Sequence, residues 1–207
     1  AIQKAGERAL AAGSTLSQTL DMVATFRAGD SATPVVLMGY QNPVEAMGAQ
    51  VFASRAVSAG VDGVIIVDLP PEEGNSEMAI MRTAGLAPIY LIAPNSTPER
   101  IATLCASAGG FVYLVSIKGI TGTRSAHVDE VQKQVAEIRR HTQLPVGVGF
   151  GIRDSQSAGD MATVADAVIV GTVLVEQFAE HQQSPEKIPA AAAALVADLR
   201  AGIDARR

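Results

Sequence analysis

Six short runs of β-branched and aliphatic residues recur along the chain, at Pro34–Tyr40, Val64–Asp68, Pro88–Ala93, Phe111–Ser116, Pro145–Phe150 and Ala167–Gly171. Each is followed by a segment of helical pattern. The runs are apolar at successive positions, which is what a strand buried on both faces of a helix-covered parallel sheet requires. Starting at 35, 64, 88, 111, 146 and 167, they stand about 26 residues apart, the size of one βα unit. Between them, Ile101, Leu104, Cys105 and Ala108 lie at i, i+3, i+4 and i+7, with Thr97 as N-cap and Pro98 at the first helical position. Val128, Val131, Val135 and Ile138 make a second such stripe, and the chain opens on a helical pattern over Ile2–Ala12.

Alternating strands and helices build either an open doubly wound sheet or a (β/α)8 barrel. The turn after the first run is Tyr40-Gln41-Asn42-Pro43, not the G-x-G-x-x-G of a dinucleotide fold. The runs end near polar or glycine residues: Tyr40, Asp68, Asn95, Ser116, Gly151 and Thr172. That pattern favours the barrel, whose sites are assembled from the ends of many strands. A barrel needs eight strands and about 250 residues, so 207 residues with six runs predict one domain over 1–207 that is incomplete at its N-terminal side.

Charge and composition exclude other classes. With 21 acids against 16 bases the net charge is −5, which argues against a nucleic-acid footprint, and any anionic ligand must be held locally. No apolar stretch approaches the roughly 18 residues of a spanning helix. A single cysteine forbids an internal disulfide and points to a reducing cytoplasm.

The last three loops carry the chemistry. Residues 117–124, Ile-Lys-Gly-Ile-Thr-Gly-Thr-Arg, form a small-residue loop long enough to act as a lid. Gly149-Phe150-Gly151-Ile152 and Gly171-Thr172 follow the next two strands. Glycines there let backbone N–H groups approach an anion, helped by the positive end of the following helix. Simple turn chemistry is the alternative for either glycine pair alone, but two such loops in succession favour a phosphate site. Asp68 reads either as a catalytic acid or as the cap of a helix introduced by Pro70-Pro71, with Glu72 and Glu73 in that helix's first turn. Lys118 reads as a solvated loop lysine or, less simply, a Schiff-base lysine. Tyr40 and Tyr113 suit either core or pocket wall. Cys105 reads as inert core. His127, His141 and His181 have no partners at ligand spacing, so no metal site is expected.

Taken together, Leu37-Met38-Gly39-Tyr40-Gln41-Asn42-Pro43, Val67-Asp68-Leu69-Pro70-Pro71-Glu72-Glu73, Ala93-Pro94-Asn95-Ser96-Thr97, Val115-Ser116 to Thr121-Gly122, Gly149-Phe150-Gly151-Ile152 and Gly171-Thr172 resemble the tryptophan synthase alpha chain along essentially the whole sequence. The resemblance implies a (β/α)8 TIM barrel of which strands 3–8 are present. It implies cleavage of indole-3-glycerol phosphate to indole and glyceraldehyde 3-phosphate, a retro-aldol reaction of tryptophan biosynthesis. No cofactor belongs to such a chain, pyridoxal phosphate being that of a beta partner in an α2β2 complex, with contacts near Asn42-Pro43, Asn95 and Thr121. By resemblance, Gly122, Gly151, Gly171 and Thr172 hold the phosphate, and Thr172 stands where serine is usual. Ile2, Tyr40, Ile65, Leu91, Phe111, Tyr113, Phe150 and Ile169 form the indole pocket, Phe111 standing where tyrosine is common. Thr121 is the lid residue. The family's two catalytic carboxylates fall before Ile2-Gln3, so no catalytic residue is expected within this chain and it is expected to be inactive by itself. Two rival readings are a Schiff-base phosphosugar aldolase using Lys118 and a non-catalytic module docking on the beta chain. Unpaired edges at 35–38 and 168–170 are expected to promote aggregation.

Overall fold

Each apolar run becomes parallel strand. The computed structural model describes residues 1–115, 124–149 and 151–206, and at 124–126 the backbone alone. β1 (Val36–Gly39), β2 (Gly63–Ile66) and β3 (Ala87–Pro88) pair in that order. β4 (Leu91–Ile92), β5 (Val112–Val115), β6 (Val146–Gly149) and β7 (Ala167–Val168) follow in a second ladder. The third run is therefore two short strands, β3 facing β2 and β4 facing β5. Alternate backbone groups of a parallel strand turn to opposite neighbours. Ala87 and Ile89 donate to the carbonyls of Asp62 and Val64, while the Pro88 and Tyr90 carbonyls accept from Gly109 and Tyr113. Pro88 has no N–H to return on that second side, so the ladder toward β5 starts only beyond it.

The helices are α1 (Ile2–Ala11), α2 (Leu16–Arg27), α3 (Gln41–Met47), α4 (Ala49–Ala59), α5 (Asn75–Ala84), α6 (Pro98–Ser107), α7 (Arg124–Ile138), α8 (Ser155–Ala162), α9 (Thr172–Glu180) and α10 (Ile188–Asp204). Thr97 caps α6 as expected, its hydroxyl accepting from the Arg100 N–H with Pro98 at the first turn. Asp154 opens α8 in a reciprocal capping box with Ser157. The predicted stripes of α6 and α7 are the buried ones, through Ile101, Leu104 and Cys105 and through Val131, Val135 and Ile138. A Cβ on Gly202 of α10 would stand 1.9 Å from the Ser155 carbonyl oxygen, so glycine alone permits that approach to α8.

Strand alternation divides the side chains between two faces. Val64, Ile66, Ile92, Val112, Leu114, Val146 and Val148 are no more than 7% exposed and join the helix residues in one core cluster. The opposite parity, Ile65, Ile89, Leu91, Phe111, Tyr113, Gly147, Gly149 and Ile169, turns to the inner face, away from that cluster, with Leu91, Tyr113 and Gly147 in register across β4, β5 and β6.

One expectation is corrected here. Pro70-Pro71 opens a turn closed by Glu73 and Gly74 N–H bonds to the Pro70 carbonyl, and the next helix begins at Asn75 after Gly74. Asp68 therefore does not cap it. Its carboxylate accepts from the Gln41 N–H at 2.7 Å, serving the first residue of α3 across the sheet. Glu72 lies outside the first turn of α5 and pairs with Arg100 of α6. The turn begins at Pro70, two residues past Asp68, and its bonds end at Gly74, so the helix that follows starts too far along the chain for Asp68 to cap it.

Candidate functional site

Two glycines of β6 open the inner face. A Cβ on Gly147 would meet the Ile169 Cδ1 at 2.9 Å and the Phe111 ring at 3.4 Å, and one on Gly149 would meet the Tyr113 hydroxyl oxygen at 2.3 Å. The space those side chains would take is filled by the aromatics of β5 and by Ile169. Beyond β6 the chain turns at Gly151, whose φ of +49 suits glycine, and Ile152 anchors the loop at 5% exposure before Asp154 starts α8. After β7, Gly171 stands at the N-cap of α9 with no side-chain cap bond. The first-turn N–H groups of α9 are thus offered to an outside acceptor, unlike those of α6 and α8.

These segments enclose a pocket of ≈ 240 Å³ at the carboxyl ends of β6 and β7. Gly151, Gly171 and Thr172 line it together with Ile2, Tyr113 and Ile169. The Ile2 Cδ1 lies 3.5 Å from where a Cβ on Gly171 would be. Six sequence-predicted site residues therefore meet in one cavity. Burial pushes the Tyr113 phenol above its ordinary value, which keeps it protonated and able to donate a hydrogen bond.

The remaining predicted residues lie elsewhere or beyond view. Tyr40 and Ile65 line a separate, apolar groove of ≈ 230 Å³ with Leu10, Leu37 and Met38. Leu91 borders a small depression with Asp68 and Arg100, and Phe111 rests against Gly147. Ser116, Lys118, Thr121, Gly122 and Phe150 are outside the described residues. Asn42, Pro43 and Asn95 are exposed. Burial pushes the Cys105 thiol up, as an inert core thiol requires. Among the described residues no group of three or more metal-ligating side chains occurs, and no helix is long and apolar enough to cross a membrane.

Sequence reasoning passed over Arg153. It lines the pocket and holds Glu176 of α9 at 2.5 Å, which raises its already high affinity for the proton. The signal was a cation two residues beyond Gly151, at the entrance of the following helix.

Fold and site together define an α/β protein of parallel strands with glycine-bearing loops and a pocket at the carboxyl ends of its last two strands. The family model for the tryptophan synthase alpha chain matches residues 1–204. The chain belongs to that family, a lyase-type enzyme subunit of tryptophan biosynthesis. It is 50% identical over 204 residues to the alpha chain of Nitrosococcus oceani, covering 99% of this chain and 75% of the relative. With the alpha chain of Thioalkalivibrio sulfidiphilus it shares 52% over 203 residues, 98% and 76% of the two lengths. The alpha subunit of Legionella pneumophila superposes with a TM-score of 0.89 at 39% identity, covering 98% of this chain and 75% of that one. A Pyrococcus furiosus structure, described as an α2β2 tryptophan synthase complex, gives 0.85 at 33% identity, with 97% and 79% covered.

Proposed function

We propose that this chain binds indole-3-glycerol phosphate in the β6–β7 pocket and serves its retro-aldol cleavage, in which the bond between the indole ring and the glycerol chain breaks to give indole and glyceraldehyde 3-phosphate. The observation that carries the reading is the meeting of Gly151, Gly171 and Thr172 with Ile2, Tyr113 and Ile169 in one pocket. The uncapped N-terminus of α9 and the Thr172 hydroxyl suit a phosphate monoester, which explains how an acidic chain takes an anion without a basic patch. The Ile2, Tyr113 and Ile169 side chains suit an aromatic ring. Ile65, Leu91 and Phe111 continue the inner face toward the earlier strands, with Tyr40 beyond β1; Gly122, Phe150 and the lid residue Thr121 belong to the same assignment.

We read the six runs as strands 3–8 of a (β/α)8 barrel, and residues 1–207 as one domain. β1 and β7 each lack a strand partner on their outer side among the described residues, and the chain spans about three quarters of its relatives' length. The reaction asks for one carboxylate as general acid and base and another to stabilise charge on the indole nitrogen. No Asp or Glu lines the pocket among the described residues. In this reading the 207-residue chain supplies binding and not proton transfer, and takes no cofactor of its own. A beta chain carrying pyridoxal phosphate is the proposed partner, docking on the exposed Asn42, Pro43 and Asn95 in an α2β2 assembly, within the cytoplasm.

Titrating the chain with glycerol 3-phosphate in a calorimeter, beside an indole-release assay with the beta chain present, tests both parts. Binding without indole release is expected. Release of indole would overturn the division between binding and proton transfer, and no binding would overturn the pocket assignment.

A further inference from the structure

The β6–β7 pocket has one charged side chain on its wall among the described residues, Arg153, and the glycine loops do not account for it. Its backbone N–H donates to the Ser157 hydroxyl at 3.2 Å, which ties it to the capped start of α8. Its guanidinium faces Glu176 with two contacts, 2.5 Å and 3.4 Å. Glu176 lies on the second turn of α9, the helix whose first turn closes the pocket. The side chains are 53% and 33% exposed, so the pair sits at the solvated mouth. A pair that open to water adds little to folding. Its position is the informative fact: a cation is held where a phosphate would enter, beside a carboxylate that partly cancels it.

We propose that Arg153 is a phosphate-binding residue of this pocket, and that Glu176 is a restraint that holds the guanidinium ready while lowering its attraction for the anion. The five N–H donors of a guanidinium form a planar fork, enough to serve a carboxylate on one edge and a phosphate oxygen on another. Glu176 then has two opposed effects. It orients Arg153, and its own negative charge repels the incoming dianion, so affinity is set by the difference. A substrate that must leave as a phosphorylated aldehyde after cleavage benefits from such moderated binding, since uniform tightening would slow release.

The inference rests on the phosphate reading of the pocket, and calorimetry with inorganic phosphate separates the two. Arg153→Gln is expected to weaken phosphate binding about tenfold, the loss of one charge-assisted hydrogen bond. It is also expected to flatten the dependence of affinity on salt, while Arg153→Lys restores most of both. Glu176→Gln is expected to tighten binding about threefold, and the double variant to bind more tightly than Arg153→Gln because the repulsion by Glu176 is gone there too. A purely structural clamp predicts the opposite sign for Glu176→Gln, because both variants would then loosen the two loops alike. Weaker binding by Glu176→Gln, or an unchanged affinity in Arg153→Gln while the parent chain binds phosphate, overturns the inference alone. If the parent chain takes no phosphate, the pocket assignment fails and the inference falls with it.

Discussion

At the amino ends of β1 and β2, Arg27 at the end of α2 donates to the carbonyls of Gly60 at 2.7 Å and Thr33 at 2.6 Å and pairs with Asp62, which accepts the Val35 N–H at 2.7 Å. At the amino ends of β6 and β7, Arg139, just past α7, pairs with Asp166 at 3.0 Å, and Asp166 accepts the Val146 N–H at 2.8 Å. The plan is the same: a helix-end arginine grips an aspartate that holds an N–H at the entry to the neighbouring strand. Arg27 is 16% exposed with several acceptors, and Arg139 is 49% exposed with one carboxylate. At the carboxyl ends the contrast reverses. The groove beside β1 and the pocket beyond β6 and β7 have nearly equal volumes, ≈ 230 and ≈ 240 Å³, so size does not distinguish them. Lining does, since Leu37, Met38 and Val44 line the first, and the second offers glycines, a threonine and an arginine. The first unit holds its strands more firmly, and the last lines its pocket with polar groups and glycines.

Four variants and a pH scan test this contrast. Arg27→Ala should cost about 2 kcal/mol in urea unfolding, because it removes a guanidinium that bonds the Gly60 and Thr33 carbonyls and pairs with Asp62; a loss as small as that of Arg139→Ala would break the comparison. Gly149→Ala should cost about 2 kcal/mol, since its Cβ must displace the Tyr113 ring, and should weaken phosphate binding. Gly39→Ala on β1, where a Cβ meets nothing within 4 Å, should leave phosphate binding unchanged in the same titration. Arg139→Ala should cost about 0.5 kcal/mol as a solvated pair, measured by its shift in melting temperature. The smallest effect on stability is in acid. The Thr33 hydroxyl, then the N–H groups of Thr33 and Ala32, hold the Asp30 carboxyl below its ordinary 3.8. Its contribution is complete above that value and is lost as pH falls through the lowered one, so Asp30→Asn should flatten acid denaturation below pH 4.

Much of the fold was legible because its signals are local. Apolar runs mark doubly buried strands, Thr97-Pro98 marks a helix start, and Val131, Val135 and Ile138 mark a buried face. The split of the third strand was also written locally, in Pro88, but its meaning needs to know which neighbour each backbone group faces. Asp68 was read from the residues beside it, and its partner, the Gln41 N–H, is 27 positions away. Three predicted phosphate residues and three predicted ring residues do share a pocket, whereas Tyr40 and Ile65 open onto a different groove. Strand parity places Ile65 on the inner face but does not say how far it lies from β6.

By itself, then, the sequence determined the alternation of strands and helices, the faces those elements bury, and the glycine turns after β6 and β7, since each depends on neighbours within one or two turns of chain. Only the tertiary structure decided which residues share a pocket, that Arg27 and Arg139 repeat one clamp at two solvent exposures, and that Arg153 of the pocket wall pairs with Glu176 of α9. Those outcomes depend on through-space distances between segments 20 or more residues apart. Hydrophobic periodicity carries no information about such distances, because burial is satisfied equally well by many pairings and only packing selects one.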